Sequence, residues 1–282
     1  RNGDRYMRTQ KPYNGDKFRN EMREFENKEL IRVEYNNSSK FFAWLFNIDF
    51  IAAFDDVYIL TYLFDAQELS YLFKMNSLGY EYIGAGYIDG RYRFCSYMDY
   101  IPEYTKNIKQ LIRVHSGEKL NDIGSDEYDI SMGWFKKRGD VDQLAKNISN
   151  FFNNIHRGVP SNKRMWSTYI EDKKKLSGKG YSKGFITYNE RATNKYKDRT
   201  CLVYTVNPYM NVGKKMYFQN NGIDVKEDLW ALSTAIQWIW RSAIREGSSI
   251  DIYIPSSRLR TLLFQWMDCL EEGGNIVNEL YV

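Results

Sequence analysis

The 282-residue chain has few of the residues from which many catalytic and metal sites are built. Its three cysteines, Cys95, Cys201 and Cys269, lie far apart, and its two histidines are His115 and His156. No CxxC or Cys/His cluster offers zinc ligands, and a histidine-based catalytic triad has little to draw on. We therefore expect no metal site. Two of the cysteines lie in apolar surroundings, which favours reduced, buried thiols in a reducing compartment.

Long apolar runs and targeting segments are also missing. No stretch reaches the roughly 18 apolar residues of a membrane helix, and no signal peptide opens the chain. We therefore expect a soluble, cytoplasmic protein with no membrane partner. The sequence begins at Arg1 without a methionine, which indicates a fragment, a processed product or an incompletely recorded chain.

The nucleotide-binding pattern G-x-x-x-x-G-K-[ST] does not occur either. The stretches 177–182 (SGKGYS) and 212–217 (VGKKMY) lack both the upstream glycine and the Ser or Thr after the lysine. The backbone nest, the lysine and the magnesium-binding hydroxyl that hold ATP are therefore absent. Asp55-Asp56 precedes the predicted strand 57–63, whereas a Walker B carboxylate should follow a strand. We expect that the chain alone does not hydrolyse ATP.

The residues that are abundant indicate a globular protein with a large core. Hydrophobic residues make up 43% of the chain and aromatic residues 16%, whereas there are only five prolines. This composition is not that of a disordered chain. The net charge is +4, but residues 157–215 alone carry about +10, from fourteen Lys or Arg and four acidic residues. A concentrated basic stretch favours a polyanionic partner, and a lysine-rich solvated surface is the alternative.

Strand and helix patterns alternate along much of the chain. The predicted strands are 30–35, 57–63, 184–189, 201–207 and 251–255, and the predicted helices are 65–79, 142–155, 228–247 and 256–272. Asp89-Gly90 predicts a β-hairpin between them. We expect an α/β protein with a mostly parallel sheet flanked by helices, and an additional α+β part at the N-terminus.

Three local expectations follow from composition. The apolar run 41–54 should be buried, and 57–63 should be a strand covered on both faces. Asp65 and Glu68 have capping-box spacing at the start of the next helix. Ser256 or Ser257 should cap the last helix.

We divide the chain into four parts on these patterns: 1–29 is a polar lead-in, 30–155 an α/β region with a helical insertion, 156–183 a basic linker or loop, and 184–282 a second α/β domain.

Three features stand in order in the last hundred residues. A predicted strand ends in the turn Arg191–Asn194 (RATN), a helix carries Gln237, Arg241 and Arg245, and the strand IDIYIP follows. Their order and local character resemble the second RecA-like domain of superfamily 2 helicases, whose motif V is a strand with an Arg-Gly-x-Asp turn. Gln237 and Arg241 match the spacing of motif VI, whereas Arg245 comes one residue late and Trp240 replaces the glycine. The tail is also similar to helicase-like proteins of Gram-positive phages and mobile elements.

The resemblance implies a RecA-like fold and a place in bacterial or phage DNA replication. It implies that Arg241 and Arg245, with Gln237, act as arginine fingers on an ATP site whose P-loop is elsewhere, so that ATP and Mg²⁺ serve only if a first motor lobe is present. The region 30–155 would then contain the end of that first lobe. At a spacing of i, i+4, i+8 the three side chains would form one stripe on a helix, and guanidinium groups suit phosphate. Pairing with carboxylates is the alternative role.

Arg191, Thr193 and Asn194 follow a predicted strand, where open α/β sheets bind ligands. We predict that they contact nucleic acid, and a turn that caps its own backbone is the alternative. The five lysines of the basic segment could track phosphates with salt-sensitive affinity: Lys173, Lys174, Lys175, Lys179 and Lys183.

Aromatic and arginine side chains flank these segments. Trp166, Tyr169 and Tyr181 could stack on bases, although partial burial is the favoured interpretation. Arg258 and Arg260 are interpreted as the start of a solvated helix face, with nucleic-acid contact as the alternative.

We expect DNA as the partner, single-stranded or duplex, with RNA as an alternative. Two other functions stay open. One is a motor-derived module that binds nucleic acid or protein without catalysis. The other is a metal-dependent nuclease built on Asp49, Asp55, Asp56 and Asp65, which would require these carboxylates to converge on shared metal ions.

Overall fold

The structure is a computed structural model that describes residues 5–6, 14–17, 19, 30–35, 39–43, 46–97, 107–137, 139–190 and 193–274. The chain forms two compact units. The first comprises Arg1–Gly79 and Met210–Val225, and the second comprises Tyr80–Tyr209 and Lys226–Val282. Within the described ranges, no helix is long and apolar enough to cross a membrane.

The strands of the described ranges belong to three sheets. They are β1 (Arg5–Tyr6), β2 (Leu30–Tyr35), β3 (Ser39–Ala43), β4 (Ile83–Ile88), β5 (Arg91–Ser96), β6 (Ile112–Val114), β7 (Arg164–Ser167), β8 (Cys201–Tyr204) and β9 (Ile250–Tyr253). Strands β1, β2 and β3 form an antiparallel sheet in the first unit, and β4 pairs with β5 as a hairpin in the second.

The α-helices are α1 (Asp49–Ala52), α2 (Glu68–Met75), α3 (Ile108–Leu111), α4 (Glu118–Asn121), α5 (Met132–Lys137), α6 (Val141–Asn150), α7 (Lys173–Leu176), α8 (Val212–Asn220), α9 (Glu227–Ile239) and α10 (Ser257–Glu271). Short 3₁₀ turns separate several of them, and α6 runs on as a π-helical turn. Ser256 caps α10, because its hydroxyl accepts from the Leu259 amide, as the sequence predicted.

The second unit is built on a parallel sheet with the order β6-β9-β8-β7. All residues of β7 and β8 are buried. Outside β7, Phe185 forms a further parallel bridge to Trp166. The predicted mostly parallel α/β fold is therefore confirmed.

Helices cover both faces of this sheet. In parallel sheets, residues in register point to the same face, so Val203 and Tyr253 share one face and Ser167 and Tyr204 share the other. Phe151, which follows α6, contacts Tyr253. The Trp238 ring of α9 contacts Tyr204. The crossover helices α6 and α9 therefore lie on opposite faces, as right-handed crossovers running in opposite directions require.

Two strands of the sheet were not predicted. No strand was predicted between residues 103 and 155, but this stretch contains β6, which pairs with β9. The predicted basic linker 156–183 contains β7, which is fully buried. Each strand has only three or four residues, too few for a clear alternation, and long-range pairing in the sheet determines their conformation.

The apolar runs of the first unit were wrongly predicted to be buried. The run 57–63 is not a strand, and Leu60 is 95% exposed. Phe46, Phe50 and Phe54 in the run 41–54 are also exposed. An apolar segment is buried only where another part of the fold packs against it, and the segment's own sequence does not show whether that happens.

The predicted capping box at α2 is also wrong. Asp65 pairs instead with Lys74 at 3.6 Å, and Gln67 is the N-cap without a side-chain hydrogen bond. The predicted hairpin is confirmed: Asp89 and Gly90 have φ values of 52° and 79°, which the tight turn between β4 and β5 requires.

The predicted helix 228–247 ends early. Helix α9 stops at Ile239, and Ser242 donates its hydroxyl to the Ile239 carbonyl. A serine that bonds the backbone in this way competes with the next turn of helix. Arg241 and Arg245 therefore lie beyond α9, on a turn and a 3₁₀ segment, and do not form one helical stripe with Gln237.

Candidate functional site

The carboxyl ends of β7 and β8 form the point at which the sheet changes direction. After β7 the chain moves outward to Phe185, which bridges to Trp166. After β8 it moves inward to β9. Adjacent strands whose connections diverge leave a crevice, and ligands of open α/β sheets bind there. We take this switch point, the carboxyl ends of β7 and β8, as the candidate functional site.

Buried hydroxyl groups gather at the switch point. Ser167 ends β7, Thr168 is the residue after it, Tyr204 ends β8, and each is at most 1% exposed. Among the described residues, none of their three hydroxyl oxygens has a hydrogen-bond partner. The backbone of Ser167, unlike its side chain, is hydrogen-bonded: its carbonyl accepts from the amide and the hydroxyl of Thr205.

Asn207 organises the loops beside the switch point. Its amide nitrogen donates to the carbonyls of Glu127 and Asp129, each at 2.8 Å. Its own carbonyl accepts from the Tyr169 hydroxyl at 3.0 Å. This fully buried side chain therefore joins the end of β8 to the loop before α5.

Arg258, at the start of α10, completes this network. Its guanidinium donates to the Asn207 side-chain oxygen at 2.9 Å and to Asp228 at 2.6–2.8 Å. The guanidinium carbon also lies 4.2 Å from the ring centre of Tyr209, which stacks on Tyr128. The side chain of Arg258 is only 8% exposed.

Arg260 is also part-buried, and it donates to the Ile254 carbonyl at 2.8 Å. The interpretation of Arg258 and Arg260 as a solvated face is therefore wrong. The sequence could not show that the preceding strand would bring them against backbone carbonyls.

The tyrosines of this region are held in their neutral form. Burial, more than any other cause, raises the pKa of Tyr204 well above its ordinary value and raises the pKa values of Tyr169 and Tyr188. Burial also raises the pKa of Tyr209 to about 12. These phenols therefore serve at neutral pH as hydrogen-bond donors and acceptors without charge.

The predicted helicase-like residues meet at the opposite end of the sheet. Arg245 donates to the Asn194 side-chain oxygen at 2.5 Å. Arg245 precedes β9 and Asn194 precedes β8, so the contact lies toward the amino ends of these strands. The structure thus brings together two of the residues singled out from the sequence, but away from the edge where α/β sheets bind ligands.

The other residues of this set have separate surroundings. Gln237 donates to the Ser233 hydroxyl at 3.0 Å within α9. Thr193 accepts from the Lys195 amide at 3.3 Å, the local capping contact that was the alternative for this turn. Arg191 lies outside the described residues, and the roles of the remaining residues stay predictions.

The five predicted lysines line the connection between β7 and Phe185, and all are exposed. Lys175 pairs with Asp172 at 2.7 Å, and the Lys173 ammonium lies 4.3 Å from the Phe185 ring centre. Within the part of the chain that the structure describes, Lys174, Lys179 and Lys183 have no carboxylate within ion-pair distance.

The aromatic side chains of this connection are core residues. Trp166, Tyr169 and Tyr181 are no more than 4% exposed. The Trp166 indole donates to the Tyr181 carbonyl at 2.9 Å, and the Tyr181 hydroxyl donates to the Leu176 carbonyl at 2.9 Å. The favoured interpretation of burial is confirmed, and these rings are not available to stack on bases.

The carboxylates of the nuclease hypothesis do not form a cluster. Asp49 begins α1, Asp55 and Asp56 are exposed, and Asp65 pairs with Lys74. Across the described ranges, no group of three or more His, Cys, Asp or Glu side chains could hold a metal ion.

Comparison with known proteins shows which family this domain belongs to. Residues 106–267 match the family described as the YonV C-terminal Rossmann-like domain. The chain belongs to this family. It is 42% identical over 235 residues to the SPbeta prophage-derived uncharacterized protein YonV of Bacillus subtilis (strain 168), a match that covers 83% of this chain and 57% of the relative. The chain thus spans little more than half the length of that relative. No solved structure matches it.

The YonV-family region contains the whole parallel sheet. It runs from before β6 into α10 and therefore includes Ser167, Tyr204, Asn207 and Arg258. A Rossmann-like domain agrees with the four-stranded parallel sheet and its helices on both faces. Sequence reasoning missed Ser167, Tyr204 and Asn207, because they lie in short strands or loops that carry no recognised motif.

Proposed function

We propose that this chain is a nucleic-acid-binding module of a prophage-derived protein and that its lysine-bearing connection, residues 173–183, contacts the phosphate backbone. The supporting observation is the set Lys174, Lys179 and Lys183, which is exposed and has no carboxylate partner among the described residues. A lysine without a carboxylate partner can contact a phosphate directly, whereas a paired lysine must first break its ion pair.

The chain can hold this connection in a defined conformation. Leu176 and Tyr181 within it are buried, and the Tyr181 carbonyl accepts from the Trp166 indole at 2.9 Å. The Asn153 side chain donates to the Lys179 carbonyl at 3.1 Å. Charges on an ordered segment lose less conformational entropy on binding than charges on a free tail. The prophage source of the relative agrees with a role on phage DNA, single-stranded or duplex, or on RNA.

Fluorescence anisotropy with labelled single-stranded DNA, duplex DNA and RNA at several salt concentrations tests the proposal. We expect Lys174→Gln/Lys179→Gln/Lys183→Gln to reduce the slope of log K against log salt by about 2–3, since each lost phosphate contact removes about 0.7–0.9. The matched control is Lys119→Gln/Lys136→Gln/Lys137→Gln, which removes the same charge from exposed positions elsewhere. An equal loss in both variants, or no binding by the wild type, would contradict the proposal.

A narrower second function is the carboxy-terminal part of an ATP-dependent helicase or translocase. The contact between Arg245 and Asn194 supports it, because it joins the two segments that resemble helicase motifs. ATP and Mg²⁺ would then bind a P-loop lobe outside this chain, and Arg241 and Arg245 would face that nucleotide. The first proposal is preferred, because Gln237, Arg241 and Arg245 do not share a helix face.

The narrower function is tested with Arg241→Ala in an assembled protein that contains a P-loop lobe. A phosphate-stabilising arginine contributes roughly 10³–10⁵ to turnover, so ATP hydrolysis should be lost while nucleic-acid binding is kept. Unchanged hydrolysis would remove the arginine-finger role and would leave the binding proposal intact.

A further inference from the structure

Arg164, the first residue of β7, is a buried cation that bonds only to neutral groups. It is 5% exposed. Its guanidinium donates to the Val159 carbonyl at 3.1 Å and to the Asn153 side-chain oxygen at 2.8 Å. It also donates to the carbonyls of His156 and Gly180, each at 3.3 Å. No carboxylate of the described residues lies within ion-pair distance of it, so this end of the sheet holds a positive charge that no carboxylate neutralises.

The same guanidinium brings two exposed cations close together. Its Nη1 donates to the Gly180 carbonyl and its Nη2 to the His156 carbonyl, so the two backbone segments meet at one planar group. Arg157 directly follows His156, and Lys179 directly precedes Gly180. The side chains of Arg157 and Lys179 are both exposed. The loop after α6 and the lysine-bearing connection therefore each place a cation at the amino end of β7.

The loops that precede β8 and β9 reach the same end of the sheet. The Thr200 amide donates to the Lys163 carbonyl at 2.9 Å, which joins the loop before β8 to the start of β7. The Arg199 carbonyl accepts at 2.9 Å from the backbone of the turn before β9. Arg245 in that turn donates to the Asn194 side-chain oxygen at 2.5 Å. The amino ends of β7, β8 and β9 are therefore linked into one continuous edge.

This edge, which we call the basic edge, consists of residues 156–164, 178–180, 193–200 and 243–249. It contains eight Lys or Arg and two acidic residues, a net charge of +6. Asp198 pairs with Lys163 at 3.3 Å and with Arg199 at 3.5 Å, and Glu246 pairs with Lys197 at 3.9 Å. Four exposed cations have no carboxylate within ion-pair distance in the part of the chain that the structure describes: Arg157, Lys179, Lys195 and Arg245.

The remaining charges near the basic edge do not cancel this excess. Helices α6 and α9 end on this side of the sheet, and a helix C-terminus carries about half a negative charge. Arg113 and Asp251, which lie further along β6 and β9, neutralise each other through two hydrogen bonds of 2.8 Å. Two half charges are small beside a net charge of +6, so the basic edge remains strongly positive.

We infer that the basic edge is a second contact surface for the phosphate backbone of a nucleic acid, at the opposite end of the sheet from the switch point. The inference rests on the proposed function, since Lys179 belongs both to the lysine-bearing connection and to the basic edge. Small ligands of α/β sheets bind in the crevice at the carboxyl ends of the strands. A polymer bound through its phosphates needs no crevice, only exposed cations on an ordered surface. The nucleic acid passes from the connection across the amino ends of β7, β8 and β9.

Fluorescence anisotropy of Arg157→Gln/Lys195→Gln/Arg245→Gln with labelled single-stranded DNA, duplex DNA and RNA tests the basic edge without changing Lys179. We expect the slope of log K against log salt to decrease by about 2–3, because each lost phosphate contact removes about 0.7–0.9. Arg157→Lys/Lys195→Arg/Arg245→Lys keeps the three charges and should keep the wild-type slope. All three side chains are exposed, so both variants should melt near the wild-type temperature.

Lys119→Gln/Lys136→Gln/Lys137→Gln is the matched control, since it removes the same charge from exposed positions outside the basic edge. An equal change of slope in this control and in the edge variant would overturn the inference. If the edge variant kept the wild-type slope while the connection variant lost it, the basic edge would play no part and the proposed function would stand. The reverse result would support the basic edge and remove the connection. Binding to phosphatidylglycerol vesicles and to none of the nucleic acids would overturn both proposals.

Discussion

Asn207 and Arg258 lock the carboxyl edge of the parallel sheet by a single hydrogen bond of 2.9 Å between the guanidinium and the side-chain oxygen. The same asparagine donates to two carbonyls of the loop that precedes α5. One buried amide thus fixes α10, the end of β8 and a loop about eighty residues earlier in the chain.

Asn207→Ala should lower the free energy of unfolding by about 2–3 kcal/mol, because it removes the side-chain donor to the carbonyls of Glu127 and Asp129 and one acceptor of the Arg258 guanidinium. Asn207→Asp should be at least as damaging, since a carboxylate oxygen would face the carbonyls of Glu127 and Asp129. Urea denaturation measures both changes. Asn220→Ala, at an exposed position, should change stability by less than about 0.5 kcal/mol. If Asn207→Ala lowered the free energy of unfolding no more than this control, Asn207 would not hold the loops together.

Gly184 allows the segment outside β7 to approach the sheet. A Cβ at this position would lie 2.4 Å from the Arg164 carbonyl oxygen, which is backbone and cannot swing aside. Gly184→Ala should therefore lower the free energy of unfolding by about 3 kcal/mol, the upper end of the usual cost of overpacking. Thermal unfolding should show no such loss for Gly158→Ala, where no atom lies within 4 Å. Similar melting temperatures for the two variants would contradict the close approach.

The two histidines should make the protein less stable in mild acid. Burial is the main cause that lowers the pKa values of His115 and His156. His156 and Arg260 lower the pKa of His115 further, whereas for His156 the effect of Asp251 opposes the lowering and Arg113 and Arg164 add to it. Because the folded pKa lies below the unfolded value near 6.5, protonation favours the unfolded chain, and stability is lost as the pH falls below about 6.5.

The urea midpoint of the wild type should therefore decrease between pH 7.5 and pH 5.5. His115→Phe/His156→Phe should show a smaller decrease, since phenylalanine does not titrate and both sites contact the Phe151 ring. An equal decrease in this variant would assign the pH dependence to other groups.

Arg245 should contribute little to stability. Its contact with Asn194 is exposed, and exposed polar pairs contribute about 0–1 kcal/mol. Arg245→Ala should therefore leave the melting temperature within a few degrees of the wild type. A large decrease in melting temperature would mean that this contact holds the turn before β9 in place. A structural role would then be enough to explain why Arg245 is present.

Periodicity predicted those elements of the fold that are long or carry a local signal. The caps and turns at Ser256 and Asp89-Gly90 are contacts between near neighbours, so the sequence states them directly. Strands β6 and β7 were missed, because three or four residues become strands only through partners far along the chain.

The candidate site was less predictable than the fold. Motif spacing singled out Arg245 and Asn194, which do meet, but toward the other end of the sheet. Ser167 and Tyr204 drew no attention, because a serine or tyrosine in an apolar strand has no distinctive pattern. Their significance comes from lacking partners where the connections diverge, and only the folded structure shows that.

The strand order also governs when this protein can fold during synthesis. Strand β9 lies between β6 and β8, yet it is the last of the four to be made, and the paired residues Arg113 and Asp251 are 138 positions apart. On the ribosome, β6 and β8 therefore have no common neighbour until the chain has passed Tyr253. Such distant pairing is slow and leaves strand edges open, so nascent chains that stop before Ile250 should be the species that chaperones and proteases recognise.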